Sequence, residues 1–241
     1  MKNNILSIIT LLALISVLAG CKKDNFDQPT SILSGRIVYQ DQAIGVRTPT
    51  INLNYDRDRT STNGVQVEIW QYGYQLRTKI PQFVAYDGTW SAALFDGDYK
   101  ITMVKGNGPW VDKTDTISVS VRGNTTLDIP VIPFYLIKNE SFQKAGTTVT
   151  ATFNVQTVNI TKTLESVKIY LNKTILVDQN NQLATGTKLA SAIPDLSKPI
   201  TVDVTIPASL ATADYCFARV GVKIAGLAEI CYALPQKIAL K

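Results

Sequence analysis

Val65-Gln66-Val67-Glu68-Ile69-Trp70 is the stretch that decides the fold. Val65, Val67 and Ile69 alternate with polar neighbours, and Trp70 falls on the polar side of the alternation. Because successive side chains of a strand point to opposite faces, this period of two predicts a β-strand with one face in a core. The same alternation returns at 117–121, 149–155, 167–171 and 200–206.

Turn signals separate these runs, and they determine the predicted architecture. The turn signals are Asp87-Gly88, Asp96-Gly97-Asp98, Gly106-Asn107-Gly108-Pro109 and Arg122-Gly123-Asn124. Short half-buried strands with frequent turns, and no long period of 3.6 residues after position 20, predict an all-β chain of antiparallel sandwiches. Pro130-Val131-Ile132-Pro133 favours an extended connector. We therefore expect two β-sandwich domains in series, at 32–133 and 134–241, the second immunoglobulin-like or fibronectin-like.

The N-terminus predicts export. Lys2 precedes an apolar run at 5–18, and Leu18-Ala19-Gly20-Cys21 follows. Such an order is typical of a signal peptide, here 1–20, and the run is shorter than the roughly 20 residues that cross a bilayer. A cysteine directly after Leu-Ala-Gly resembles the bacterial lipobox. That resemblance implies that Cys21 becomes the N-terminus, carries diacylglycerol and holds the protein on membrane lipid, with 21–31 as a tether. An ordinary secretory signal with a chance cysteine and an uncleaved anchor are the alternatives.

Composition excludes several classes of function. The chain has a net charge of +5, but Lys22-Lys23 is its one cluster of cations, so we expect no nucleic-acid partner. It contains no histidine, which removes Ser-His-Asp catalysis and HExxH zinc sites. The glutamates are scattered, and no acidic loop has EF-hand spacing. We therefore expect no enzyme, no cofactor and no metal site.

Cys216 and Cys231 flank a segment with hairpin character that turns near Ala225-Gly226. In an oxidising compartment, two cysteines in adjacent strands favour a disulfide. A two-residue turn would not place them directly opposite each other, so the bond requires a bulge or a wider loop. Two buried free thiols are the alternative.

Aromatic residues are the candidates for ligand or partner binding. Trp70, Tyr72 and Tyr74 lie at i, i+2 and i+4, so a continuous strand would place them on one outer face, where flat rings suit sugar stacking or protein docking. Packing against the other domain, or loss of the alignment at Gly73, is the alternative. Trp110 lies in a Gly-Pro loop and is a candidate for binding or for packing on the domain end. Trp90 shares a face with Ala92 and Leu94, which indicates a core position.

The first domain also resembles the prealbumin-like domain appended to carboxypeptidases. The segments that carry the likeness are Leu33-Ser34-Gly35-Arg36-Ile37-Val38, Tyr86-Asp87-Gly88-Thr89-Trp90 and Leu94-Phe95-Asp96-Gly97-Asp98-Tyr99. The whole chain resembles an uncharacterised family of two-domain lipoproteins, known only as a domain of unknown function. Gly45-Val46-Arg47-Thr48-Pro49 and Lys105-Gly106-Asn107-Gly108-Pro109-Trp110 carry that likeness.

The family resemblance implies an accessory role in a surface glycan-uptake system, with polysaccharide and components of a Sus-type importer as partners. The order Lys23-Asp24 after Cys21 resembles surface-export signals of Sus-type bacteria and implies display on the outside of the outer membrane, with the periplasmic face as the alternative. Asp115-Thr116-Ile117 resembles their O-glycosylation motif, which makes Thr116 a candidate. The alternative function is a spacer protein that docks another envelope protein without binding carbohydrate.

Overall fold

The structure, a computed structural model, describes residues 27–50, 64–73 and 78–241. The predicted signal peptide, Cys21 and Tyr74 lie outside the described residues. Residues 31–241 form one unit. In the described part of the chain, no helix has the length and apolar character needed to cross a membrane.

The first half contains two sheets. Its strands are β1 (Ser31–Tyr39), β2 (Gln42–Ala43), β3 (Gln66–Gln71), β4 (Lys79–Phe83), β5 (Thr89–Leu94), β6 (Gly97–Met103), β7 (Ile117–Val121), β8 (Thr125–Thr126) and β9 (Ile129–Pro130). One sheet has the order β2-β1-β5, with β8 and β9 also paired to β1, and the other has the order β4-β3-β6-β7. The predicted Asp-Gly turn between β4 and β5 forms because Gly88 adopts a φ of +85°, and the Asp87 carboxylate accepts a hydrogen bond from the Thr89 backbone.

The second half also contains two sheets. Its strands are β10 (Tyr135–Ala145), β11 (Thr148–Thr157), β12 (Leu164–Asn172), β13 (Ala184–Leu189), β14 (Ile200–Thr205), β15 (Tyr215–Ile224), β16 (Ile230–Tyr232) and β17 (Gln236–Ala239). The sheets have the orders β10-β11-β14 and β13-β12-β15-β16, with β17 also paired to β15. The prediction of an all-β chain with antiparallel sheets in two domains in series is confirmed, and the two-residue strands β8 and β9, which pair in parallel with β1, are the exception.

Alternating apolar residues form the core as predicted. Val65, Val67 and Ile69 are fully buried, and Trp90 is 3% exposed. In the second half, β11 and β14 alternate buried and more exposed residues along their length. Fully burying one such side chain contributes about 1.5–3 kcal/mol, so these strands specify which face of each sheet turns inward.

The predicted connector packs on the first half. Ile129 and Pro130 pair in parallel with β1, and the Val131 backbone N–H donates to the Val38 carbonyl at 2.9 Å. Pro130 has no N–H to donate, and it lies in the two-residue strand β9, which pairs with β1 at a sheet edge, a place where proline is tolerated.

The contact between the two halves is a feature that alternation did not predict. Arg219 of β15 is fully buried, and its guanidinium donates to the carbonyls of Tyr86 at 2.6 Å, Ala233 at 2.7 Å and Val177 at 3.4 Å. It also lies 4.3 Å from the centre of the Tyr232 ring. One side chain thus joins the first half to two segments of the second.

A buried ion pair reinforces this contact. Arg47 donates from Nε to Glu229 Oε2 at 2.8 Å, and its Nη2 contacts Oε1, so the pair is bidentate. Both side chains are nearly inaccessible to solvent. Beside it, the buried Asp178 carboxylate accepts a hydrogen bond from the Thr48 backbone at 2.8 Å. Together these bonds hold the halves in one arrangement.

Candidate binding face on the second sheet

The outer face of β3 and β6 carries the predicted aromatic residues. Trp70 and Glu68 point away from the core because Val67 and Ile69 occupy the inward positions of β3. In the register of the sheet, Lys100 lies opposite Trp70 and Thr102 lies opposite Glu68. An aromatic ring, a cation, a carboxylate and a hydroxyl therefore lie side by side on one surface.

Hydrogen bonds fix the orientation of Trp70. Its indole Nε1–H donates to Thr102 Oγ1 at 2.9 Å, so the ring extends across from β3 to β6. Thr102 in turn donates to Glu68 Oε2 at 3.3 Å, and Lys79 donates to Glu68 Oε1 at 2.7 Å. Because this series of hydrogen bonds already holds the half-buried indole in place, the Trp70 side chain loses little conformational entropy when a ligand binds.

Tyr72 continues the face beyond the end of the strand. β3 ends at Gln71, and the chain bends at Tyr72 and at Gly73, whose φ is +93°. The Tyr72 side chain is 39% exposed, and Lys100 Nζ lies 4.6 Å from the centre of its ring. The predicted row is therefore a pair in the described part of the chain, because the third member, Tyr74, lies outside it.

A cleft opens beside the two rings. It has a volume of about 340 Å³, and its lining residues are Trp70, Gln71, Tyr72, Lys100, Thr102 and Thr116. A second depression of about 280 Å³ shares Tyr72 and Lys100 and extends over Asp98, Ser118 and Ser120. We call these residues together the Trp70 face. Rings flanked by hydroxyls and charges are suited to a ligand that has both apolar faces and polar edges.

Lys100, Thr102 and Glu68 were not identified from the sequence. Each belongs to an ordinary outward position of an alternating strand, and nothing local marks it as part of a site. Their assembly depends on the register between β3 and β6, whose residues are about 30 positions apart. Thr116, a candidate for O-glycosylation, is exposed and lines the cleft, and its modification stays a prediction.

The structure corrects the prediction that Trp110 is a binding residue. It is 4% exposed and forms a bridge with Pro133. The neighbouring backbone closes this arrangement, since Val111 donates to the Ile132 carbonyl at 2.9 Å. A Cβ at Gly108 would lie 2.2 Å from the indole, so the loop folds closely over the ring. Trp110 is therefore a core residue at the domain end and does not present a binding surface.

The disulfide is a second correction. Cys216 and Cys231 are free and buried. Cys216 lies opposite Ile238, whereas Cys231 lies opposite Val222, which is 222 − 216 = 6 residues further along β15. That offset corresponds to about 20 Å along a strand, whereas a disulfide needs Cα atoms within about 7 Å. Burial raises the pKa of Cys231 to about 12 and also raises that of Cys216, so both thiols stay protonated.

Acidic residues do not converge on a metal site in the described residues. No group of three or more His, Cys, Asp or Glu side chains there could hold a metal ion. Asp96, from one of the acidic loops, accepts hydrogen bonds from Ser31 Oγ at 2.5 Å and from the Gly123 backbone at 2.9 Å. These bonds lower the pKa of the Asp96 carboxyl and give it a structural role at the turn.

Comparison with known proteins places this architecture in one family. Residues 31–132 match the N-terminal domain described as "Protein of unknown function (DUF3823)", and residues 135–237 match the domain of unknown function DUF3823_C. No curated protein matches the chain.

Several solved structures share the fold. A DUF3823 family protein from Bacteroides ovatus is 36% identical, with a TM-score of 0.76, and one from Parabacteroides merdae is 30% identical, with a TM-score of 0.75. A "putative carbohydrate binding protein" from Bacteroides uniformis is 18% identical, with a TM-score of 0.68, which shows the shared fold alone. Each match covers 88% of this chain and 100% of the other. The chain, matched in both halves, belongs to the two-domain DUF3823 family.

Proposed function

We propose that this protein is a non-enzymatic lipoprotein that binds glycan through the Trp70 face. The observation that carries the proposal is the indole of Trp70, which is tied to Thr102 on an outer sheet face beside the exposed ring of Tyr72. The C–H faces of a pyranose ring are apolar and pack well on aromatic rings, while its hydroxyls need hydrogen-bond partners.

The Trp70 face supplies hydrogen-bond partners for sugar hydroxyls. Thr102, Ser118 and Ser120 place hydroxyls along the two depressions, and Asp98 adds a carboxylate that already accepts a hydrogen bond from Ser120 Oγ at 2.7 Å. The carbohydrate-binding description of the B. uniformis protein belongs to a neighbour of low identity. For this chain, the proposal rests on the Trp70 face.

The test is affinity electrophoresis of the purified protein from Lys22 onward, which omits the predicted signal peptide and Cys21, through gels that contain different polysaccharides. We expect retardation by at least one polysaccharide and its loss in Trp70→Ala. Tyr215→Ala is the matched control, because Tyr215 is a similarly exposed ring (42%) with Lys237 Nζ 3.8 Å from its centre. Equal mobility in every gel, or equal loss in both variants, would refute glycan binding by this face.

The membrane anchor is a separate part of the proposal. The lipobox resemblance supports acylation of Cys21. The order Lys23-Asp24 supports display at the cell surface of the outer membrane, and the family resemblance supports work beside a Sus-type importer. Incorporation of an alkyne-labelled fatty acid that disappears in Cys21→Ser would support the anchor. Protease digestion of intact cells distinguishes the outer from the periplasmic face, and digestion only after lysis would contradict surface display.

A spacer that docks another envelope protein is the second candidate. The contact that favours it is the buried join between the halves, where Arg219 and the Arg47–Glu229 pair hold one arrangement. Copurification with importer components from detergent-solubilised membranes, unchanged in Trp70→Ala, would support the spacer over glycan binding.

A further inference from the structure

Among the residues that the structure describes, one cation beside Trp70 has no carboxylate within ion-pair distance. Glu68 is paired with Lys79 at 2.7 Å, and Asp98 with Arg122 at 3.4 Å. Lys100 lies between these acids on β6, and in the described ion pairs no carboxylate lies within 4.0 Å of its ammonium group. The face therefore has a surplus positive charge at its centre.

The position of that charge coincides with the aromatic rings. Lys100 lines both depressions, and its ammonium lies over the Tyr72 ring at 4.6 Å from the centre. Lys100 is a half-buried residue whose ammonium lies against a ring at the surface, so an anion of the ligand is a favourable further partner. Trp70 on β3 lies directly opposite Lys100 on β6, and its ring lines the same cleft as the ring of Tyr72.

We propose that the ligand is an anionic polysaccharide, whose sugar ring packs on Trp70 and Tyr72 while its carboxylate or sulfate binds Lys100. This inference rests on the proposed glycan binding. A uronic acid carries its carboxylate on a ring carbon, so the charge lies at the edge of the stacked sugar. Nucleic acid fits the surface less well, because its binding draws on several Lys and Arg residues along the phosphate backbone, and in the described ion pairs Lys100 is the one cation of this face without a carboxylate.

The experiment compares polymers that share a backbone and differ in a charged substituent. Titration calorimetry on the protein from Lys22 onward would use polygalacturonate against its methyl ester, and lightly sulfated dextran against dextran. We expect about five- to tenfold tighter binding of the charged member of at least one pair, weakening as salt is added. The preferred pair tells carboxylate from sulfate.

Variants locate the effect. Lys100→Met should abolish the charge preference, so that the charged and the neutral member of a pair bind alike, and Lys100→Arg should retain the preference. Lys237→Met is the matched control, because Lys237 lies over the Tyr215 ring in the same way, and it should change neither affinity. A circular dichroism spectrum equal to that of the wild type excludes misfolding as the cause.

The outcomes separate this inference from the proposed function. If neutral and charged polymers bind with equal affinity, and only Trp70→Ala weakens their binding, the charge preference is overturned and glycan binding stands. A preference that survives Lys100→Met would also overturn it, as would single-stranded DNA binding more tightly than every polysaccharide. No binding of any polymer would refute both proposals.

Discussion

The buried Arg47–Glu229 pair gives a prediction whose size follows from its environment. Replacing Arg47 with Met keeps much of the side-chain volume and removes the charge. It leaves the Glu229 carboxylate, whose side chain is 2% exposed, without the guanidinium that now binds both of its oxygens. Removing one partner of a buried pair costs about 3–5 kcal/mol, a large part of the roughly 5–15 kcal/mol that stabilises a folded protein.

The double replacement tests the cause of that loss. In Arg47→Met with Glu229→Met, no charge stays buried at this place, and we expect a free energy of unfolding within about 1 kcal/mol of the wild type. Arg36→Met is the control, since Arg36 pairs with Asp128 at the surface, where both side chains are about a third exposed or more, and it should cost far less stability than Arg47→Met.

The assay is urea unfolding followed by circular dichroism at pH 7.5 and again at pH 5. Burial raises the pKa of Glu229, and Arg47 opposes that rise. Without Arg47 the pKa rises further. A raised carboxyl pKa means that folding favours the protonated form, so the deficit of Arg47→Met should shrink as the pH falls. A loss under about 1 kcal/mol in Arg47→Met, or a double variant less stable than the single one, would refute the reasoning.

Three further predictions concern Trp110, the two cysteines and Asp128. Trp110→Ala should lower the free energy of unfolding by about 3–5 kcal/mol in chemical denaturation. Under conditions in which this variant stays folded, its glycan affinity should equal that of the wild type. Weaker binding would mean that Trp110 does contribute to the binding site. Cys216 and Cys231 should react with a thiol reagent only after unfolding, and thiols still missing in the unfolded chain would mean that they are bonded. Hydrogen bonds from Arg36 lower the pKa of Asp128, so the contribution of this carboxylate to stability is present above the ordinary carboxyl pKa and is lost as the pH falls. In thermal unfolding, Asp128→Asn should therefore lose less stability than the wild type when the pH is lowered. An acid profile equal to that of the wild type would contradict this.

Alternation predicted the strands that have one buried face. In β3, β11 and β14 the alternation of apolar and polar residues shows which side chains point inward, because each strand has only one face against the core. β15 is different, since Cys216 and 218–222 are buried in succession. Its second face is covered by segments distant in the chain, including Tyr86 through Arg219. Arg219 interrupts the apolar residues of β15, and no local pattern in the sequence names the segment that covers its second face.

The binding face was partly predictable for the same reason. The phase of the β3 alternation placed Trp70 outward, and the structure agrees. Trp110 was equally plausible as a binding residue in a Gly-Pro loop, yet its direction depends on the bridge to Pro133, 133 − 110 = 23 residues away. Cys216 and Cys231 failed as a pair because β17 lies opposite one part of β15 and β16 opposite another. Strand register and order decide such contacts, and they are properties of the folded chain.

The most direct test of the central claim is a two-dimensional ¹H–¹⁵N spectrum of the tryptophan side chains. The chain has three tryptophans, and the indole N–H of Trp70, which donates to Thr102 on the outer face, is assigned as the signal absent in Trp70→Phe. On addition of oligosaccharide fragments of a polymer that retards the protein, we predict that the Trp70 signal shifts while those of the buried Trp90 and Trp110 stay in place. A Trp70 signal that does not move when the ligand binds would contradict the account.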